Sequence, residues 1–388
     1  FHPAGDGLLR FAVPGSTDQV TEAPRVVDSN EAQVLVRSLQ TDTATGVTVL
    51  LGRVTDAGRI GVRGAGRRDR LGPWEVFRVP PGKQALEIAY APIGAARPEG
   101  WPEAPKLPAP TRRWPEAVET SGELSTKVGE PYVVDRIKLP EANPWKALLY
   151  TSALDFLPDG RAVVATFHGD VFIVSGLDAQ LGKVVWRRFA AGLYHPLGLK
   201  VVGSDILVTC RDGLWKLRDA DGDGECDHYE VFNSDVQVTR SFHEFVFDLQ
   251  ADAAGNLYFI KAGPVRKGGR GFDEICDHHG ALLKVSPDGR TLSVVATGFR
   301  APNGIGLSPA GQITTGDNEG TWTPVCRLNW VKEGGFYGVP PLAHRANEPT
   351  DYDRPLCWFP KEVDNSSGGQ VWVTSDKFGP WKDRLLHL

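Results

Sequence analysis

Apolar and polar residues alternate in short runs along most of the chain, and turns rich in Gly, Pro, Asp and Ser separate the runs. The stretch 192–232 shows this most clearly, with apolar runs at 198–202, 206–210 and 213–217. A period of two bounded by turn residues predicts a meander of short β-strands. Helical periodicity is nearly absent, so we predict an all-β chain with only short helical turns.

Strand pairs recur roughly every forty to fifty residues after residue 128, which predicts a β-propeller in which each sheet covers the next. We therefore expect an all-β fold: a β-propeller of about six blades at 128–388, preceded by a small β-sandwich at 1–97. Segment 98–127 begins with a Pro-rich stretch and is predicted to be an interdomain linker. The repeat disfavours the alternative of a second sandwich.

Composition limits the possible partners. The 388 residues are 41% hydrophobic and 23% charged, which is typical of a soluble globular protein. A net charge of -5 and a pI near 6.0 give no electrostatic basis for binding nucleic acid or an anionic membrane. No apolar run reaches the roughly eighteen residues of a membrane span.

The five cysteines show no CxxC or CxxCH spacing, so we predict neither a zinc knuckle nor a haem attachment site. Trp-rich β-structure, together with the calcium-type acidic turn at 219–230 described below, favours an exported protein, either periplasmic or extracellular. The chain begins Phe1-His2 and contains no Met. We therefore expect that a targeting segment, and some residues, are missing from this sequence.

An acidic turn at 219–230 fits the calcium-loop pattern D-x-D-x-D-G-x5-E at every specified position. Alternate acidic side chains on a tight loop can supply the six to eight or so oxygens that Ca²⁺ prefers. The flanking runs predict strands and not the helices of an EF-hand, so a solvated acidic hairpin is the alternative. The predicted ligands are Asp219, Asp221, Asp223, Glu225, Asp227 and Glu230.

Four consecutive stretches between Phe242 and Pro341 read FHEFVFDLQADAAGNLYF, GALLKVSPDGR, TGFRAPNGIGLSP and CRLNWVKEGGFYGVP. In this order they resemble signatures of the soluble quinoprotein glucose/sorbosone dehydrogenase family, a six-bladed propeller. More widely, residues 128–388 resemble the propeller of large exported bacterial proteins that often carry a c-type cytochrome domain. The resemblance implies pyrroloquinoline quinone (PQQ) and calcium as cofactors, a small sugar or oligosaccharide as substrate, and a haem domain or partner as electron acceptor.

The resemblance also implies roles for particular residues. His243 matches the general base that removes the hydroxyl proton, a task suited to imidazole because it titrates near neutral pH. Arg300 matches the arginine that holds the quinone through its fork of donors. Asn303 and Asp317 are expected to support Arg300.

Three further residues are expected at the cofactor site. His195 precedes the corresponding strand of the preceding blade and is predicted to line the same channel, the alternative being a turn-packing His before Pro. His344 and Arg345 follow the GGFYGV signature and are predicted at the channel mouth. A metal cluster formed by His278 and His279 is disfavoured because adjacent side chains diverge on a strand.

The chain departs from the family pattern at two places. Ala301 stands where the family has Asn, and Cys326-Arg327 replaces an acidic pair that contributes to calcium binding. Retention of His243 and Arg300 favours an exported PQQ-type sugar or alcohol dehydrogenase, whereas the departures favour a non-catalytic propeller that binds carbohydrate or protein. The sequence leaves both open, with the enzyme preferred.

Overall fold

The computed structural model describes residues 9–12, 19–29, 32–98, 100–102, 112–219 and 222–388. The chain divides into two compact units, Phe1–Thr111 and Arg112–Leu388. The described helices are three short 3₁₀ turns at Val54–Arg59, Pro340–Leu342 and Asp376–Trp381. None of these described helices has the length and apolar character needed to cross a membrane. The predicted all-β character is confirmed.

The first unit consists of two packed sheets. Its strands are β1 (Leu9–Ala12), β2 (Gln19–Ser29), β3 (Ala32–Thr43), β4 (Val47–Arg53), β5 (Ile60–Gly64), β6 (Arg67–Leu71), β7 (Trp74–Val79) and β8 (Gly82–Tyr90). One sheet has the order β1-β2-β3-β8-β5 and the other β4-β7-β6. Leu39, Ile60 and Ile88 of the first sheet share a buried core with Val49 and Phe77 of the second. This is the predicted β-sandwich.

The second unit contains strands β9 to β29. They are β9 (Ala117–Thr120), β10 (Gly122–Glu123), β11 (Arg136–Ile137), β12 (Thr151–Phe156), β13 (Ala162–Thr166), β14 (Val171–Ser175), β15 (Val184–Ala190), β16 (Gly198–Val202), β17 (Asp205–Cys210), β18 (Gly213–Arg218), β19 (His228–Asn233), β20 (Val246–Ala251), β21 (Leu257–Lys261), β22 (Ala281–Val285), β23 (Leu292–Thr297), β24 (Pro302–Leu307), β25 (Ile313–Asp317), β26 (Arg327–Val331), β27 (Cys357–Trp358), β28 (Gln370–Trp372) and β29 (Leu385–His387).

These strands form successive antiparallel meanders arranged as a β-propeller. The sheets are β12-β13-β14-β15-β9, β16 to β19, β20 to β23, β24 to β27 and the pair β28-β29, with β10-β11 as a separate pair. The innermost strands of consecutive sheets, β12, β16, β20, β24 and β28, contact one another in order. The propeller is therefore confirmed. The described residues of this unit form four full sheets and two strand pairs. Six blades stays a prediction.

Each interface between sheets is a separate apolar core. Because successive strand residues point to opposite faces, Val163 faces the second sheet while Val164 faces away from it. Val163 packs with Leu199 and Val208 of the second sheet. The next interfaces contain Leu207, Leu214, Val246 and Leu257, and then Ile260, Leu282, Ile305 and Ile313.

The innermost strands run in the same direction, which sets the position of the site. Near the start of β12, Ser152 Oγ donates to the carbonyl of Pro196, just before β16, at 2.6 Å. Further along both strands, Asp155 Oδ2 accepts from the amide of Val201 at 2.8 Å. The residues that precede the innermost strands therefore gather at one end of the propeller, which we call the upper rim.

Segment 98–127 differs from the predicted linker in its second half. Ala117–Thr120 hydrogen bonds to β15 as the outermost strand of the first sheet, and Thr120 Oγ1 accepts from Trp186 Nε1 at 3.0 Å. This part of the segment lacks the prolines that prevent strand pairing in 98–115. Residues 99 and 103–111 lie outside the described chain, and the remaining domain boundaries stay predictions.

Candidate functional site

One hydrogen bond recurs at the upper rim of all four full sheets. In each sheet the amide that follows the second strand donates to the carbonyl of the residue before or near the start of the innermost strand. The pairs are Phe167 to Tyr150 at 2.8 Å, Arg211 to Tyr194 at 2.9 Å, Ala262 to Phe245 at 2.8 Å and Asn318 to Ala301 at 3.2 Å. Three of the four equivalent acceptor positions are therefore aromatic, and the fourth is Ala301.

Aromatic rings from three sheets make one continuous surface at this rim. The ring of His195 stacks on Phe167 with centroids 4.3 Å apart and lies 4.6 Å from Tyr194. Phe167 also contacts Phe245 at 6.3 Å, and Phe245 contacts His243 at 5.2 Å. The predicted site residues His195 and His243 thus belong to the same aromatic surface.

His195 is half-buried and held in a constrained backbone conformation, with φ of 48°. A non-Gly residue in this region costs roughly 1 kcal/mol or more, so the surrounding contacts must hold it there. Burial lowers the pKa of His195, and the charges of Arg211 and His168 lower it further. Its Nδ1 atom is buried and makes no hydrogen bond within the described residues.

His243 has a similar character. Burial lowers its pKa below the ordinary value of 6.5, and the positive charge of Arg300 lowers it further. Its Nδ1 atom is also buried without a hydrogen-bond partner among the described residues. His243 is therefore neutral near pH 7 and retains an unused ring nitrogen, which are the properties of a proton acceptor.

Arg300 lies close enough for its charge to act on His243, so both predicted catalytic residues occupy the upper rim. Arg300 is 6% exposed, and its guanidinium donates from Nη2 to the carbonyl of Gly269 at 2.8 Å. The backbone of Gly320, with φ of 150°, packs directly on the guanidinium, and a Cβ atom there would overlap it. Only Gly at 320 permits this close packing.

Asp317 fixes the backbone of Arg300 from within the fourth sheet. Its carboxylate accepts from the amides of Arg300 at 3.1 Å and Ala301 at 2.8 Å, and from Arg327 Nη2 at 2.7 Å. Asp317 and Arg327 are 0% and 1% exposed. Asp317 was expected to support Arg300 at the cofactor site. Its carboxylate is enclosed and already hydrogen bonded, so it positions Arg300 and is not available to hold a cofactor itself. The departure Cys326-Arg327 thus places a buried positive charge beside Asp317.

Glu244, next to His243, is the centre of a buried charge network. Its carboxylate accepts from Arg211 at 2.7 Å, His279 Nε2 at 2.6 Å and the amide of Thr239 at 2.8 Å, and pairs with Lys261 at 3.2 Å. Burial alone would raise the pKa of Glu244. The His279 hydrogen bond and the charges of Lys261 and Arg211 outweigh burial and lower this pKa to about 2.

Glu244, Cys276 and His279 are the one group among the described residues with three potential metal-binding atoms within 4.8 Å of one another. Arg211 and Lys261 already neutralise this carboxylate, and burial raises the pKa of Cys276, which keeps it a thiol. A cation is therefore disfavoured here.

Neighbouring His278 instead accepts from the amide of Gln237 at 3.0 Å. The two histidines lie in the turn before β22, and not on a strand, and they have different partners.

Comparison with solved structures returns sugar dehydrogenases. The chain is similar to an oxidoreductase described as a glucose dehydrogenase from Thermus thermophilus, at 20% identity over 58% of this chain and 74% of that one, with a TM-score of 0.44. It is similar to the PQQ-bound aldose sugar dehydrogenase of Streptomyces coelicolor, at 14% identity, 58% and 72% coverage, and a TM-score of 0.44. It is also similar to the soluble aldose sugar dehydrogenase of Escherichia coli, at 14% identity, 62% and 86% coverage, and a TM-score of 0.47.

No protein-family model and no curated protein sequence matches the chain. The solved structures are of the kind that the sequence resembles. Their TM-scores are below 0.5, so the fold is established by this chain's own sheets and the site by its own side chains.

The remaining predicted cofactor residues are Asn303, His344 and Arg345. Asn303 is half-buried in β24. His344 donates from Nε2 to the carbonyl of His279 at 2.6 Å and so braces the network around Glu244. Arg345 donates to the carbonyl of Gly334, in the turn after β26. Its place at the channel mouth stays a prediction.

The acidic turn does not gather the predicted calcium ligands. Glu230 lies in β19 and pairs with Arg218 of the adjacent strand at 2.7 Å. The two oxygens of Glu225 accept from the amides of Arg113 and Trp114, each at 2.7 Å. These two carboxylates are thus directed away from a common point, and their assignment as ligands is wrong.

The aspartates of this turn stabilise the loop itself. Asp219 accepts from the amides of Gly222 at 2.7 Å and Gly224 at 2.8 Å. Asp223 Oδ1 accepts from the amide of Glu225 at 2.8 Å. Asp227 follows in the same turn, and Asp221 lies outside the described residues. The residues described here do not fit a six-ligand calcium loop.

Sequence reasoning missed the aromatic surface at the upper rim, and it missed Glu244 and Gly320. A signal for the rim was present, since an aromatic residue stands before three consecutive innermost strands, in ALLYTS, GLYHPLG and FHEFVF. No sequence signal marks Gly320 or Glu244, because their partners come from distant parts of the chain.

Proposed function

We propose that the chain is an oxidoreductase that oxidises a sugar hydroxyl at the upper rim. The observation that carries the proposal is the proximity of His243 and Arg300 at one rim, with His243 kept neutral and its Nδ1 unpaired among the described residues. A neutral imidazole beside a fixed guanidinium suits removal of a proton from a hydroxyl as negative charge develops on its oxygen.

The residues divide the task between them. His243 accepts the hydroxyl proton, while the carbon that bears the hydroxyl loses a hydride to an acceptor and becomes a carbonyl carbon. Arg300 stabilises negative charge on the reacting oxygens, and Asp317 keeps its backbone in place. The ring of Phe245, whose centroid lies 5.2 Å from that of His243, limits the access of water to His243.

The rim also fits a planar anionic quinone such as PQQ. Arg300 offers a guanidinium held by Gly269 and Gly320, and His195 offers a buried Nδ1 without a partner in the described chain. These groups would hold acidic and carbonyl oxygens. The quinone, when bound, supplies the two-electron acceptor.

Export to the periplasm or outside of the cell, and transfer of electrons to a haem domain or partner, are further parts of this proposal and rest on the sequence resemblance.

Calcium is proposed only with the aspartates of the acidic turn as side-chain ligands. A melting temperature that is unchanged between excess calcium and a chelator would exclude a structural calcium there.

The test is reconstitution with PQQ followed by dye reduction across a panel of aldoses. We expect quinone-dependent turnover that His243→Ala reduces by roughly a hundredfold or more, since a general base contributes about that much. His228→Ala removes an exposed histidine of β19 and serves as the matched control. Absence of quinone binding, or full turnover in His243→Ala, would contradict the proposal.

A second candidate is a non-catalytic propeller that binds carbohydrate. The exposure of Tyr150 and Tyr194 at the rim favours it. Binding of sugar without any quinone-dependent turnover would favour this candidate over the enzyme.

A further inference from the structure

The aromatic rim extends well beyond His243. We define it as Tyr150, Phe167, His168, Tyr194, His195 and Phe242. The ring centroids of Tyr150 and His168 are 5.2 Å apart, and those of His168 and Phe167 are 5.5 Å apart. Phe167 contacts Phe245, which in turn contacts His243. A single sugar held at His243 occupies only one end of this series.

The far side chains of the rim are open to solvent. Tyr150 is 65% exposed, Tyr194 44% and Phe242 54%. Contiguous exposed aromatic surface is uncommon on a monomeric protein and marks an interaction site. The main chain beneath the rings is held in place, because the carbonyls of Tyr150 and Tyr194 accept hydrogen bonds from the ends of the second strands in their sheets. The positions from which the two rings project are therefore fixed.

Polar groups border the apolar faces of the rim. Tyr150 and Tyr194 carry hydroxyls, His168 and His195 carry ring nitrogens, and the Nδ1 of His195 lacks a partner among the described residues. A ligand must therefore offer apolar faces together with groups that both donate and accept hydrogen bonds. Sugar units do so, since their C–H faces pack on aromatic rings and their hydroxyls donate and accept. A lipid or an apolar protein surface would cover the hydroxyls of Tyr150 and Tyr194 and the exposed ring of His168 without offering them hydrogen bonds.

From these observations we propose that the aromatic rim binds a saccharide chain and that the substrate is an oligosaccharide, with its reacting unit at His243 and further units on Tyr194 and Tyr150. This inference deepens the proposed function and rests on it for the identity of the reacting end. The binding itself requires neither the quinone nor turnover.

Isothermal titration calorimetry of the full chain without quinone tests the proposal. The probes are cellohexaose, maltohexaose and xylohexaose, compared with glucose and xylose. We expect at least one hexasaccharide to bind roughly tenfold or more tighter than its monosaccharide. Tyr150→Ala and Tyr194→Ala should each weaken hexasaccharide binding by about fivefold to tenfold and leave monosaccharide binding unchanged or nearly so.

Tyr132→Ala is the matched control, since Tyr132 is 67% exposed but outside the rim. The proposal is overturned if no hexasaccharide binds tighter than its monosaccharide, or if both rim variants bind like the unmodified chain. Tight hexasaccharide binding that depends on Tyr150 and Tyr194, in a chain without turnover, supports the rim and refutes the proposed enzyme. Monosaccharide turnover without hexasaccharide preference refutes the rim and supports the enzyme.

Discussion

Among individual residues, His243 and Arg300 are coupled through charge. Because burial and Arg300 both lower the pKa of His243, its basic form persists below pH 6.5. We expect the acid limb of kcat/KM against pH to lie below that value. Arg300→Gln removes the positive charge, so the pKa of His243 rises and the acid limb moves to higher pH.

The measurement is the pH profile of dye reduction at a fixed quinone concentration, for the unmodified chain and for Arg300→Gln. Arg290→Gln is the control, because Arg290 is exposed in a turn and its side chain pairs with Asp288. If the acid limb stays in place in Arg300→Gln, the charge of Arg300 does not act on the base.

Gly320 lets the guanidinium of Arg300 pack against the main chain. Gly320→Ala would place a Cβ atom on that guanidinium, so we expect Arg300 to be displaced and kcat/KM to fall by roughly tenfold or more. Gly311→Ala is the control, because Gly311 also has a positive φ, 84°, but a Cβ there meets nothing within 4 Å. Both variants should lose about 1 kcal/mol of stability to backbone strain. Equal activities would show that Arg300 tolerates the displacement.

At this scale, motifs located His243 and Arg300 but not their surroundings. A motif gives the residue that performs the chemistry, whereas the partners that hold it are distant in sequence. Asp317 illustrates the difference. Its position in the sequence suggested support for Arg300, but not that Arg327 and the amides of Arg300 and Ala301 occupy its oxygens.

At the scale of secondary-structure elements, local pattern predicted the strands well. The three predicted runs 198–202, 206–210 and 213–217 appear as β16, β17 and β18 with bounds within one residue. Their alternation and turn residues are adjacent in sequence, so no distant information is needed. Strand β9 was missed because it completes a sheet whose other strands lie after it, and only that pairing defines it.

The hairpin turns at the lower end repeat one geometry. Gly160, Gly255 and Gly311 each donate to the carbonyl three residues earlier, and their φ angles are 84° to 86°. A left-handed conformation at the same place in three sheets requires Gly. The recurrent PDG, AAG and PAG sequences therefore fix the turns between innermost and second strands, which is why the repeat was visible in the sequence.

Glu244 lies beside His243 in the connection between β19 and β20. Its carboxylate joins this connection to three other segments, through Arg211, Lys261 and His279. Glu244→Gln would leave Arg211 and Lys261 without their negative partner, so we expect a loss of about 3 kcal/mol in the free energy of unfolding. The carboxylate's pKa is lowered to about 2 in the folded chain. Its stabilising contribution is therefore present above pH 4.5 and is lost as pH falls toward 2.

Urea unfolding at several pH values measures this effect. Between about pH 4.5 and 2, the stability of Glu244→Gln should change less steeply with pH than that of the unmodified chain. Glu123→Gln, at an exposed ion pair with Lys138, is the control and should behave like the unmodified chain. Parallel pH curves for Glu244→Gln and the unmodified chain would refute the proposed charge network.

At the scale of the whole propeller, neighbouring sheets are joined by hydrogen bonds as well as by apolar packing. Asp248 lies at a bulge in β20 with φ of 61°. Its amide donates to the carbonyl of Leu197 at 3.0 Å, and its carbonyl accepts from Thr209 Oγ1 at 2.9 Å, both in the second sheet. Its carboxylate accepts from the amide of Ile305 in the fourth sheet at 3.0 Å. One residue thus connects three sheets.

Asp248→Asn tests this connection because it keeps the size of the side chain but replaces one acceptor oxygen with a donor. Asp248 Oδ1 accepts from Leu249 and Gln250, and Oδ2 accepts from Ile305, so an Asn must direct its amide nitrogen at one of these N–H groups. We expect a loss of about 2 kcal/mol in the free energy of unfolding by urea. Asp159→Asn, in an exposed turn, should lose less than about 0.5 kcal/mol. Equal stability of the two variants would mean that the carboxylate of Asp248 does not stabilise the connection between the third and fourth sheets.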